Sequence, residues 1–99
     1  MRFEENAVYT IKLNSGEELI TRIKSYENGF IVVDEPVAIA PSQKGMGLVP
    51  SMFTADPSAE ARINTNSISI YALTEDNIKM KYIEATTGIQ IPEKKIVLG

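Results

Sequence analysis

The sequence predicts a small, mostly-β protein, on three observations from its first forty residues. Apolar and polar residues alternate at period two over 7–13 and again over 19–26, the signature of half-buried strands. Each segment ends in two polar residues and a glycine, Asn14-Ser15-Gly16 and Glu27-Asn28-Gly29, which is the composition of a hairpin loop. A third extended segment, 30–40, comes directly after, so residues 7 to 40 read as a three-stranded antiparallel meander.

In the first strand Ala7, Tyr9, Ile11 and Leu13 share one face. In the second, Leu19, Thr21, Ile23 and Ser25 oppose Ile20, Arg22, Lys24 and Tyr26. A one-residue slip would send every core side chain to the wrong face. A three-residue loop with Gly16 left-handed pairs Ile11 with Leu19 and Tyr9 with Thr21, and sets Lys12 opposite Glu18 outside. The same loop form at Gly29 pairs Ile23 with Val33 and Ser25 with Ile31. Outside, Arg22 then meets Asp34 and Tyr26 meets Phe30. A two-residue Asn28-Gly29 turn is rejected, because it would bring Asp34 inside against Ile23.

The third strand carries Asp34-Glu35-Pro36, and Pro36 has no N–H for a ladder, so a bend or bulge is expected there. Residues 41–45 read as a loop, and 46–54 as a fourth strand broken by Pro50, either an edge or strongly bent. After a turn segment at 55–60, residues 61–72 read as a fifth strand. Its apolar parity changes from Ile63 to Ile68, Ile70 and Ala72, marking a bulge near 64–67. A strand that long and bent suits both halves of a small barrel.

Two readings fit 74–88. A helix over 75–87 would have Thr74 as N-cap, Ile78, Tyr82 and Ala85 on one face, a Glu75 to Lys79 pair, and Gly88 as terminator. A strand would alternate Ile78, Met80 and Tyr82 against Lys79 and Lys81. The caps favour the helix. The tail 89–99 reads as extended, with Ile96-Val97-Leu98 able to add a short edge strand.

A chain of 99 residues is expected to be one domain that buries about 60–70% of its unfolded surface. With no cysteine and no histidine, it lacks disulfides, thiolate zinc sites, imidazole ligands and Ser-His or Cys-His nucleophile pairs. The adjacent carboxylates Glu4-Glu5, Glu17-Glu18, Asp34-Glu35 and Glu75-Asp76 point to opposite faces on strands, so they make no shared acid/base site. Gly45-Met46-Gly47 lacks the lysine and hydroxyl of a phosphate loop. No catalytic residue, metal or cofactor is therefore expected. No apolar run reaches the roughly 20 residues of a membrane helix, and the N-terminus lacks a signal-peptide pattern. A soluble, cytoplasmic protein without a membrane partner is expected. The net charge of −3 argues against generic phosphate binding, so any nucleic-acid site must be local.

One such site suggests itself at the second hairpin tip. Tyr26, Asn28 and Phe30 gather there, and aromatic and amide groups stack on and hydrogen-bond unpaired bases. The alternative is a Tyr26/Phe30 cross-strand pair that only stiffens the hairpin. Lys44 and Arg62, in or beside loops, are the cations placed to assist.

The run from Tyr9 to Tyr26, YTIKLNSGEELITRIKSY, with its continuation to Val33, resembles the first motif of the Sm-like (LSm) RNA-binding proteins, with Gly16 at the turn glycine. That resemblance implies a five-stranded, strongly bent antiparallel open barrel of the Sm-like or SH3-like kind. It also implies a homo-oligomeric ring joined through strand edges, binding single-stranded RNA near the pore. Glu27-Asn28-Gly29-Phe30 stands where the family has an acidic residue followed by Met-Asn. Around the second motif Ser67-Ile68-Ser69-Ile70 is similar, but Tyr71-Ala72 replaces Arg-Gly, and that alignment would make 78–83 a strand. A further resemblance is to short Sm-like proteins of bacterial viruses, whose terminal helix ends much as Tyr82 and Thr87-Gly88 stand here. A structural or adaptor ring that makes protein contacts without RNA is the competing expectation, suggested by the acidic charge and the missing Arg-Gly pair.

Overall fold

The first hairpin forms as its alternation requires. In a computed structural model that describes residues 2–42, 45–56 and 58–87, β1 (Val8–Leu13) and β2 (Glu18–Glu27) pair antiparallel. Ile11 faces Leu19, Tyr9 faces Thr21 and Lys12 faces Glu18, all as expected. Gly16 holds φ +94°, a conformation costly for any side chain, and its N–H donates to Leu13 O at 2.9 Å.

The second hairpin, to β3 (Phe30–Ser42), corrects the expected loop. Asn28 (φ 46°) and Gly29 (φ 88°) form a two-residue turn with both centres left-handed, and Glu27 faces Phe30. Tyr26 therefore faces Ile31 and Ser25 faces Val32; the expected Tyr26–Phe30 and Ser25–Ile31 pairs do not form. Yet Ile23 still faces Val33, and Arg22 still faces Asp34. Both hold because Lys24 is left over as a bulge, and one extra residue restores the inward parity that a short turn would have reversed.

A second irregularity falls at Asp34-Glu35-Pro36, as expected. Between the Arg22–Asp34 and Ile20–Val37 pairs, Thr21 alone opposes Glu35 and Pro36, with Glu35 at φ 44°. Beyond it β3 runs on through Pro41 and Ser42, which were expected in a loop, and pairs with β4 (Gly45–Pro50). β4 stops at Pro50 instead of reaching Thr54 and lies at the sheet edge, the order being β4-β3-β2-β1 with β6 (Ile68–Leu73) beyond β1.

The expected fifth strand over 61–72 is two strands. β5 (Ala61–Asn64) pairs with β3, and β6 (Ile68–Leu73) pairs with β1. Between them Thr65–Ser67 is a turn of 3-10 helix: Asn64 Oδ1 accepts the Asn66 N–H at 2.9 Å and the Ser67 hydroxyl donates to Asn64 O at 2.6 Å. The parity change is where the sequence put it, and a capped turn makes it in place of a bulge. The sheet is antiparallel and not closed.

Residues Asp76–Thr87 form the helix α1, which settles the two readings of that segment; the strand at 78–83 that the second-motif alignment implied does not form. Its N-cap is Glu75, not Thr74: the Glu75 carboxylate accepts the Asn77 N–H at 3.0 Å, and its carbonyl accepts from Lys79. Thr74 is buried and otherwise engaged, its N–H on Val8 O and its hydroxyl 3.0 Å from that of Thr10. Ala85, expected on the buried face, is exposed. Lys44, Gly88 and the predicted tail 89–99 lie outside the described residues.

Apolar side chains cover both faces of the sheet. Tyr9, Ile11, Ile23, Ile31 and Val33 make one cluster; Val8, Ile20, Val37 and Tyr82 make the other, under α1. Tyr82 is the helix's anchor. Its hydroxyl donates to Asp34 O at 2.6 Å and accepts the Arg22 N–H at 3.2 Å, two backbone groups that flank the Glu35 irregularity. Among the described residues no helix is long and apolar enough to cross a membrane.

Candidate functional site

The β2–β3 tip is held by its neighbours. The Thr65 N–H and hydroxyl both donate to Gly29 O, at 2.8 and 2.9 Å, so the 65–67 turn sits against the Asn28-Gly29 turn. The other flank of that turn holds the first hairpin: Asn14 donates to Asn66 O and Ser67 O at 2.7 Å, and accepts from the Ser69 hydroxyl at 2.6 Å. Satisfied backbone groups at a loop crossing make it well defined.

The register separates the two candidate aromatics. Cross-strand partners share a face, so Tyr26 belongs with Ile31 and Ile63, while Phe30 belongs with Glu27 and Asn64. Arg62, opposite Val32, is on the Phe30 face, and its Nη2 lies 3.9 Å from Glu27 Oε1. Both aromatics are partly solvent-exposed, Tyr26 at 46% and Phe30 at 42%, so each presents a stacking surface. The structure thus brings Asn28, Phe30 and Arg62 together and leaves Tyr26 at the same tip on the other side. Lys44 lies outside the described residues. Sequence reasoning missed Asn64 and Asn66, which the 65–67 turn carries to this tip; the parity break at those residues was their only signal.

Charges here are lightly held. The Arg62–Glu27 and Lys24–Asp34 pairs, the second at 3.8 Å, are about half exposed, the class of ion pair that contributes little. Arg22 faces Asp34 in the register, as expected, and its Nη1 donates to Asn6 O at 2.8 Å. Burial and the neighbouring Asp34 charge raise the Glu35 carboxyl above its ordinary value. The Ser58 N–H and hydroxyl lower that of Asp56. Among the described residues no group of three or more carboxylates is placed to hold a metal ion.

A second feature is a mostly apolar groove of about 480 Å³ where β4 gives way to β5 along the edge of β3. Val37, Leu48, Val49 and Pro50 line it from β3 and β4, and Ala85 and Thr86 from α1. Met52 and Phe53 stand at its mouth, 50% and 80% exposed.

Compared with known proteins, the chain matches no family model and no curated sequence.

Proposed function

We propose that this protein is a non-catalytic, Sm-like ring subunit that binds single-stranded RNA at the β2–β3 tip. The observation that carries the reading is the meeting of the Asn28-Gly29 turn with the 65–67 turn, through the two Thr65 hydrogen bonds to Gly29 O. That contact supports a site around the exposed Phe30, which pairs with Asn64, with Asn28 in the adjoining turn and the Arg62 guanidinium 3.9 Å from Glu27, Phe30's partner on β2. In this reading a base stacks on Phe30, amides bond its edge, and Arg62 leaves Glu27 for a phosphate.

The open-barrel part of the proposal has its own support. β2 has ten residues, which held straight would separate its ends by about 30 Å. Asn14, ahead of β2, and Gly29, just after it, nevertheless both bond to the same 65–67 turn. Only a strongly coiled sheet brings them there, and β5 and β6 then lie on its two far sides, against β3 and β1. β4 remains as an outer edge that a neighbouring subunit can extend into a ring.

The test is binding of short labelled single-stranded RNA at low and moderate salt, on protein whose ring mass is established by light scattering. Binding that Phe30→Ala weakens supports the proposal; an assembled ring that binds no RNA at either salt refutes it. The exposed Met52 and Phe53 favour a second reading, a ring that contacts proteins, and that ring would leave RNA unbound.

A further inference from the structure

The pairing of β3 leaves a gap along one edge. β4 pairs with residues 37–42 and β5 with 30–33, so neither strand covers Asp34, Glu35 and Pro36 on that side. Glu35 and Pro36 line the groove of about 480 Å³, a volume within the roughly 300–1,000 Å³ of sites that take a small ligand. Met52 and Phe53, 50% and 80% exposed, line it too. An exposed apolar patch with polar groups at its rim marks a site for another protein, and a methionine lets such a surface re-pack around different side chains.

The charge of the groove is one-sided. Among the described residues Glu35, Asp56 and Glu60 line it against one cation, Arg62, on a chain whose net charge is −3. The Ser58 N–H and hydroxyl both donate to Asp56 Oδ1, at 2.9 and 2.8 Å, which favours the ionised carboxylate. Burial and the Asp34 charge work against ionisation of Glu35, and a cation beside that carboxylate favours it. Arg62 is also the cation 3.9 Å from Glu27 at the β2–β3 tip. The groove therefore adjoins the proposed RNA site and shares Arg62 with it, and its carboxylates outnumber that shared cation.

We infer that this groove docks a short segment of a partner protein that carries both apolar and basic side chains, the apolar ones against Leu48, Met52 and Phe53 and the lysines or arginines against Glu35, Asp56 and Glu60. Opposite charge selects the partner and speeds its encounter, and burial of the apolar side chains holds it. Such docking does not depend on RNA at the tip.

The test is fluorescence anisotropy of a short labelled peptide of alternating lysine and valine with the full-length protein, without RNA, at about 0.1 M salt, where charges are screened beyond about 10 Å. The peptide binds, and versions with glutamate for lysine or serine for valine bind about tenfold or more weakly. Phe53→Ala and Glu60→Lys, both at exposed positions, each weaken binding about fivefold or more. Glu17→Lys, the same change of charge on the exposed β1–β2 loop, alters it less than about twofold. No binding, equal binding of the glutamate peptide, or equal losses from Glu17→Lys and Glu60→Lys overturns the proposal, the last reducing the attraction to overall charge. Self-association in light scattering that excludes the peptide and that Phe53→Ala abolishes overturns it as well, and gives the groove to a second copy.

Discussion

The Tyr82 hydroxyl offers the most direct test of how α1 is held. Tyr82→Phe keeps the ring, which is 1% exposed, and removes only the oxygen. Asp34 O keeps its bond from the Thr21 hydroxyl at 2.7 Å, so losing the 2.6 Å bond from Tyr82 costs about 1 kcal/mol, the net value of one hydrogen bond. The Arg22 N–H fares worse, since its 3.2 Å acceptor disappears. With that acceptor gone from a part-buried position, it adds up to about 1–2 kcal/mol. The expected total is about 2–3 kcal/mol, a large fraction of the roughly 5–15 kcal/mol that holds a domain of this size. Urea unfolding tracked by circular dichroism reads it as a lower midpoint with an unchanged slope, about 1–2 M for ordinary slopes. Tyr26→Phe, at an exposed site whose hydroxyl makes no hydrogen bond among the described residues, is the control and stays within about 0.5 kcal/mol. A Tyr82→Phe midpoint equal to that of the native chain refutes the idea that the hydroxyl ties the helix to the Glu35 irregularity.

The same hydroxyl predicts a pH dependence. Burial raises the Tyr82 pKa above its ordinary 10, so its stabilising contribution is present below pH 10 and is lost as pH rises through the folded value. Urea midpoints measured from pH 8 to 11 fall more steeply for the native chain than for Tyr82→Phe, and parallel curves reject the assignment. Deleting Lys24 leaves every β2–β3 pair in register and costs about 1 kcal/mol or less; loss of the cooperative urea transition would show that the bulge itself holds the sheet. Gly29→Ala, at φ 88° with no obstruction to a side chain, lowers stability by about 1 kcal/mol through backbone strain alone. In thermal unfolding that is about 4–8 °C, and an unchanged midpoint contradicts the left-handed turn. In RNA titrations Phe30→Ala weakens binding about tenfold or more, the loss of one stacked base, while Tyr26→Ala changes it less than twofold. Equal losses would mean that the two faces of the tip act together.

The first hairpin was legible because its information is local. Strict alternation in 7–13 and 19–26 and a glycine at residue 16 specify faces and register together, and the Lys12–Glu18 pairing is a consequence. The chemistry around 34–36 was legible for the same reason, since proline lacks a donor wherever it stands. The second hairpin was not, because two local preferences conflict: Asn28-Gly29 favours a two-residue turn, and an unbroken inward register forbids it. A bulge at Lys24 reconciles them, and nothing in the sequence of 22–26 marks Lys24 in preference to its neighbours. Thr74 was likewise a sound N-cap by residue type, until β1 took its N–H and hydroxyl.

The candidate site inherits that division. Residue type and proximity in sequence put Tyr26, Asn28 and Phe30 at one tip, and this holds. Which aromatic joins Arg62 depends on parity after the bulge, and the arrival of Asn64 and Asn66 depends on the 65–67 turn docking on Gly29. By itself, then, the sequence determined the meander, the register of its first hairpin and the irregularity before Pro36, all set by contacts between near neighbours, and it favoured a helix over 75–87 without settling it. Only the tertiary structure decided where β5 and β6 part, which residue caps α1, and which side chains share the tip. Those outcomes turn on hydrogen bonds between segments as much as 66 positions apart, such as that from Thr74 to Val8, where the partner and not the local residue chooses the geometry.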